Sequence, residues 1–287
     1  MITRIQRETG ESVRRICEVL QVPRSSYFHA AKPTATQLDD AKLGDLIEAI
    51  FREHRGRYGY RRIHREVRDD HGVNCAECRV RRLMCERGLK ALNKRRFVPR
   101  TSDGKANAPA PNLVKEVGLP KKPGEVFAGD ITYLPCAGGW LFLAVVLDLC
   151  TRRVVGWAVS DSMHAELVCK ALENALETAR VNDSAIFHSD RGSQYSSAKF
   201  RTLLEENAMQ QSMSAIANPY DNAWTESFMS TLKTEMLGDG IFEDIDDARA
   251  TLFEYIEAYY NTKRKHSAIG YKTPMQVENL ILTIPLK

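Results

Sequence analysis

Apolar residues recur along this chain with two different periods, and the change between them divides it. From residue 11 to about residue 90 they return every three or four positions, the spacing that lays an apolar stripe along a helix. In ESVRRICEVLQVPRSSYFH, residues 11–29, Val13, Ile16, Cys17 and Leu20 share one face, and the turn at Gln21 to Pro23 splits the stretch into two short helices. That is helix-turn-helix spacing. A polar connection from Lys32 to Thr36 follows, then a helix over 38–54, then two more in RYGYRRIHREVRDDHG and NCAECRVRRLMCERGL, with Gly72 and Asn74 as stop and cap.

Beyond residue 125 the pattern tightens to alternation and short apolar runs. Strands are predicted at 126–134, 140–149 and 152–160, joined by short Gly or Arg turns, which makes them an antiparallel meander. A helix over 164–180 carries Leu167, Val168, Ala171, Leu172, Ala175, Leu176 and Ala179 on one stripe, the mark of a core element. The order then continues strand, helix, strand, helix. SAIFHSD reads as a strand with Asp190 at its carboxyl end, NAWTESFMSTLKTEM as a helix, and a last long helix covers 246–260. Residues 99–124, rich in Pro, Asn, Lys and Ala, follow neither period and read as a linker.

Charge follows the same division. The 287-residue chain has a net charge of only +4, but residues 1–125 hold 27 Lys and Arg against 16 Asp and Glu, while the remainder holds 14 against 21. The front is the part suited to phosphates. Arg61, Arg62, Arg65, Arg68, Arg79, Arg81 and Arg82 crowd two of its helices. They read either as phosphate contacts of a DNA-binding unit or as a solvated face offset by Glu66, Asp69 and Asp70. Such contacts position DNA without reading its sequence. No apolar run approaches a membrane span, and the start lacks the apolar region of a signal peptide, so the expected location is the cytoplasm, with no membrane partner. Seven scattered Cys fit a reducing compartment. His71, Cys75, Cys78 and Cys85 are irregularly spaced for zinc, so the cysteines are expected to be core thiols.

Three acids carry the candidate chemistry: Asp130 in GDITYLP, Asp190 in FHSDRGSQY, and Glu226 in YDNAWTESF, with thirty-five residues between the last two. An acid inside a strand costs free energy unless it is paired or bound to metal. In the predicted helix Trp224, Phe228 and Leu232 share one face, while Asn222, Ser230 and Lys233 lie on the side of Glu226. The three carboxylates are therefore expected to hold hard divalent cations for phosphoryl transfer. His188 and Asn222 flank them and are candidates to orient them, although His188 fits equally as a satisfied strand histidine.

The strings DITYLP, GWLFLAVVLDLCTRRVVGWAV, HSDRGSQYSS, PYDNAWTESFMSTLKTE and YYNTKRKHSAIGYKTP together resemble the integrase core of the second-frame (OrfB-type) transposases of insertion sequence family three, relatives of retroviral integrases. The resemblance implies an α/β, ribonuclease-H-like fold, a mixed five-stranded sheet with flanking helices, preceded by α-helical helix-turn-helix-type units. It implies catalysis by Asp130, Asp190 and Glu226 with two Mg²⁺ ions, Mn²⁺ being able to substitute, and contact of Lys233 with the element end. Lys263, Arg264, Lys265 and His266 either touch DNA or cap a helix end. The expected divisions are a helix-turn-helix-like segment at 1–33, a basic helical DNA-binding domain at 34–98, the linker at 99–124, the catalytic core at 125–240 and a C-terminal helical segment at 241–287. Expected partners are double-stranded DNA at the terminal inverted repeats and the target, further copies of the chain on that DNA, and an upstream-frame protein. The chain departs from the pattern at Phe127, where Trp is common, and at Ala215, Ile216 and Ala217 before Asn218, where the family carries a basic, glycine-containing stretch.

Overall fold

The computed structural model describes residues 1–28, 34–92, 110–118, 120–214, 222–238 and 240–283. The departure at 215–218 and residues 99–109 and 119 of the expected linker lie outside them. Three short helices open the chain, α1 (Ile2–Thr9), α2 (Val13–Val19) and α3 (Arg24–Phe28). The expected pair is present as α2 and α3, with Ser12 capping α2 and Gln21 in the left-handed conformation between them. α1 was not foreseen, because no buried apolar position marks it.

The next unit is α4 (Ala35–Glu53), α5 (Tyr60–Asp69) and α6 (Glu77–Glu86). A Thr34 and Gln37 capping box starts α4. Leu43, Ile47, Ile50, Ile63, Val67, Val80, Leu83 and Met84 close a small core around the fully buried Tyr58. The cysteines depart from expectation: Cys78 and Cys85 are exposed on α6, and only Cys17 and Cys169 are fully buried. A thiol's small apolar surface did not decide which way α6 turned, because Val80, Leu83 and Met84 bury more.

Residues Leu113–Val117 form a short helix, α7, with Val114 buried against the sheet and Leu113 N–H bonded to Ser212. The end of the expected linker is thus packed chain. The sheet comprises β1 (Val126–Cys136), β2 (Gly139–Asp148), β3 (Val154–Ser160), β4 (Ile186–Ser189) and β5 (Gln210–Met213), in the order β3-β2-β1-β4-β5. The first three strands are the antiparallel meander, whereas β1, β4 and β5 run parallel. This is the mixed five-stranded sheet that the resemblance implied.

Helices cover both faces. On one lie α8 (Ala165–Thr178) and α9 (Ala198–Glu206), packed on Phe127, Val146, Val155 and Phe187. α8 comes so close to β3 that a Cβ at Gly156 would stand 2.3 Å from the Ala171 carbonyl oxygen. On the other face lie α10 (Ala223–Leu232), continued by a π-helical turn Lys233–Leu237, and α11 (Ile245–Phe253), continued by a π-helical run Glu254–Tyr260. Phe228, Leu232, Leu252, Tyr255 and Ile256 share one apolar cluster with Ala128, Leu134, Val145 and Leu147 of the strands. The segment after residue 240 is therefore built into the core, and α12 (Pro274–Thr283) follows it. Among the described residues no helix is long and apolar enough to cross a membrane.

Candidate active site

β1 is the central strand, and Asp130 lies in its middle opposite Val145 of β2, whose side chain belongs to the cluster under α10. Alternation along the strand therefore turns Asp130 toward the same layer as Glu226. Asp190 follows β4, the parallel neighbour of β1, and Glu226 lies in the first turn of α10. Phe127, the conservative departure, is buried on the opposite face.

Asp190 and Glu226 both act on Asp130. Asp130 is pushed up to about 8, first by burial and then by repulsion from Asp190, with Glu226 adding to it. Its Oδ1 accepts the Ile131 N–H at 2.8 Å and Lys233 lies nearby, both opposing the rise. Partial desolvation also raises the pKa of Glu226, whose side chain stays open to solvent. Asp190 Oδ1 accepts the Gly192 N–H at 2.9 Å. Among the described residues no three ligand-type side chains stand close enough to share one ion. Three carboxylates converging without a cation repel one another, which opposes such an approach.

The surroundings fit a hard divalent cation. The donors are carboxylate oxygens, the kind Mg²⁺ takes. Beside Asp130, Asn222 reaches the Gly129 carbonyl oxygen at 3.5 Å with its Nδ2, while its buried Oδ1 has no hydrogen-bond partner. An unsatisfied buried oxygen next to an anionic cluster is what a cation or its bound water would relieve. His188 is fully buried, with Nδ1 2.8 Å from Ser212 Oγ and Nε2 3.3 Å from Ser214 Oγ. Those contacts favour the strand-histidine reading.

Lys233 opens the π-helical turn after α10, with Nζ 4.3 Å from the centre of the Tyr133 ring. Burial lowers its pKa, and Asp130 opposes that. One residue escaped sequence reasoning. The Tyr195 ring is buried under β1, and its hydroxyl would lie 3.1 Å from a Cβ at Gly129. Burial, Asp130 and Asp190 together raise its pKa well above the usual tyrosine range. Its position within HSDRGSQYSS, five residues after Asp190, was the signal available.

The basic residues fare differently. Arg264 does not face DNA from a helix end. It is 4% exposed and holds both oxygens of the 7% exposed Glu235 at 2.7 and 2.8 Å. A guanidinium buried beside a carboxylate stays in that pair because leaving it would strand both charges. Arg79 and Arg82 both bind Asp40 of α4, at 2.7 and 2.6 Å. Arg61 approaches Glu77 at 3.7 Å, Arg62 approaches Glu235 at 3.8 Å, Arg65 lies over the Tyr271 ring, and Arg81 over Tyr60. Lys263 is exposed, whereas Lys265 is buried and paired with Asp70 at 2.7 Å.

The sheet order and the acids define a ribonuclease-H-like integrase core behind a helical unit. Family models agree: the integrase core domain matches residues 120–219 and again 207–274, and an HTH-like domain matches 37–97. The chain is 39% identical to the transposase for insertion sequence element IS904 of Lactococcus lactis, over 86% of this chain and 97% of that protein. It is 36% identical to transposase InsF for insertion sequence IS3A of Escherichia coli, over 93% and 94%. It belongs to the transposases of insertion sequence family three. A simian T-cell lymphotropic virus intasome structure, in complex with PP2A regulatory subunit B56 gamma, matches with a TM-score of 0.49 and 17% identity, over 85% of this chain and 77% of that one.

Proposed function

We propose that the chain binds the ends of its insertion sequence, cuts the terminal phosphodiester to free a 3′-hydroxyl, and joins that hydroxyl to target DNA. The observation that supports this reading is the raised pKa of Asp130, to which both Asp190 and Glu226 contribute. In this reading the three residues hold two Mg²⁺ ions, with Mn²⁺ able to replace them. When bound, such ions activate the attacking oxygen and stabilise the leaving one.

The protein's own groups position and neutralise. Asp130 gives up its proton when the cation binds, since its raised pKa comes from burial and the two other acids. Asn222 Oδ1 orients a ligand water, and Lys233 faces the DNA end that enters beside Asp130. No side chain forms a covalent intermediate, because water and then the 3′-hydroxyl supply the attacking oxygen. The helical units hold duplex DNA by its phosphates, with Arg61, Arg65 and Arg81 as the more open contacts there and Lys263 as one in the C-terminal segment. Two ends require more than one copy of the chain, and an upstream-frame protein is a further partner in this reading.

The test uses a labelled duplex carrying the element end, a target plasmid and Mg²⁺. Wild type gives cleaved and joined products, whereas Asp130→Asn loses both by at least about a thousandfold and retains binding. Cleavage without any joined species leaves a nuclease, and persistence of cutting in the variant removes Asp130 from the metal site. A DNA-binding protein without catalysis would give neither product.

A further inference from the structure

α10 has a second polar flank. About 100° around the helix from Glu226, Ser227, Thr231 and Thr234 face a cleft of about 650 Å³ between the helical unit and the core. Arg57, Arg62, Arg152 and Arg264 line it, and Glu235 is the one carboxylate among the described residues that do. That carboxylate is already satisfied. Arg264 binds both its oxygens and the Tyr255 hydroxyl donates to it at 2.9 Å. His266 adds no charge of either sign, since burial and then Arg264 hold its pKa down to about 2 and leave it neutral.

Among the described residues the other three guanidiniums have no carboxylate of their own, Arg62 reaching only the Glu235 that Arg264 already holds. Arg57 donates to the Glu235 backbone oxygen at 3.0 Å and lies over the Tyr259 ring, while Arg62 stands 3.8 Å from the occupied Glu235. Arg152 has no ion-pair partner among the described residues and lies over the Trp224 ring at 5.6 Å. It also holds a φ of 65° in the turn between β2 and β3, a conformation that costs a residue other than glycine. Partly buried positive charge in excess is unfavourable until an anion arrives.

We propose that this cleft binds the phosphodiester backbone of DNA, with Arg152 and Arg62 as the phosphate contacts and the Ser227 and Thr231 hydroxyls beside them. The proposal rests on the DNA reading above and assigns a second stretch of DNA contact on the same helix. From Ser227 to Thr234 the helix rises about 10 Å, the length of about three phosphate steps along a B-form strand. DNA held at Glu226 can therefore continue over α10 toward the helical unit.

Binding of a fluorescein-labelled end duplex, read by anisotropy without divalent metal over a range of salt concentrations, tests it. Arg152→Gln should weaken binding about tenfold and make the slope of log K against log salt shallower by about 0.9, with melting unchanged. Arg152→Lys should restore most of the slope, because the charge is what releases counterions. An unchanged slope in folded Arg152→Gln overturns the proposal. Should that variant fail to fold, Ala268→Glu places a negative charge at an exposed position on the cleft wall. It should also weaken binding about tenfold, and unaltered affinity there overturns the proposal as well. A thermal shift with inorganic tripolyphosphate that Arg152→Gln abolishes, without any change in the DNA slope, would make this a free-phosphate site and reject DNA. Asp130→Asn should keep the wild-type slope, so failure of the cleavage reading and failure of this one are separately visible.

Discussion

Glu226 and Glu235 lie on one continuous helical run, and the protein treats them in opposite ways. Glu235 is buried and satisfied, held by Arg264, bonded to Tyr255 and backed by Arg62. Glu226 is exposed, and among the described residues its side chain has no hydrogen bond or ion pair, while its charge adds to that of Asp190 in raising the pKa of Asp130. The difference separates a charge the protein neutralises itself from one it leaves open, as the proposed function requires of Glu226. A buried group that the protein neutralises itself holds two parts together, whereas a convergent group left without a counter-ion is kept for something that binds. Glu235 joins the helical unit to the core, because Arg57 and Arg62 reach it from residues just before and within α5.

Removing one partner from the satisfied region should give the largest effect. Glu235→Ala strands the Arg264 guanidinium and should cost about 3–5 kcal/mol in urea denaturation, whereas Glu226→Ala should be nearly neutral. Equal costs for the two would erase the contrast drawn here. The unsatisfied region should respond to pH instead. In the metal-free protein Asp130 titrates near 8, above its unfolded value, so its contribution to stability is full at low pH and is lost as pH rises through about 8. Mg²⁺ must displace that proton, so its apparent affinity should increase about tenfold per pH unit from pH 6 to pH 8. A flat calorimetric Mg²⁺ affinity across this window would show that Asp130 is not a ligand.

A smaller change is expected at Asn222, whose Oδ1 is buried without a partner beside the acids. Asn222→Ala should weaken Mg²⁺ binding about 10- to 100-fold, with little loss of fold. Loss of stability without loss of metal affinity would instead make Asn222 part of the scaffold. The smallest effect belongs to the front of the chain, where Arg79 and Arg82 share Asp40 in a partly exposed setting. Asp40→Asn should lower the thermal melting temperature only slightly. A cost like that at Glu235 would place a second structural lock between α4 and α6.

Periodicity alone identified the helical front, the three-strand meander and the late helix bearing Glu226, because each buries one regular face. The acids were legible for a related reason. A carboxylate inside a β-branched strand, as at Asp130, contradicts its surroundings and so stands out in the sequence. The clustered arginines could not be sorted in that way, since Arg82 on Asp40 and Arg152 over Trp224 look alike until distant segments meet. Tyr195 beneath Gly129 and Arg264 against Glu235 were hidden for the same reason. What the sequence by itself determined is which residues are apolar at which period and which acids sit where they should not. Only the tertiary structure decided which charges are neutralised, because a counter-ion is chosen by distance in space and not by distance along the chain.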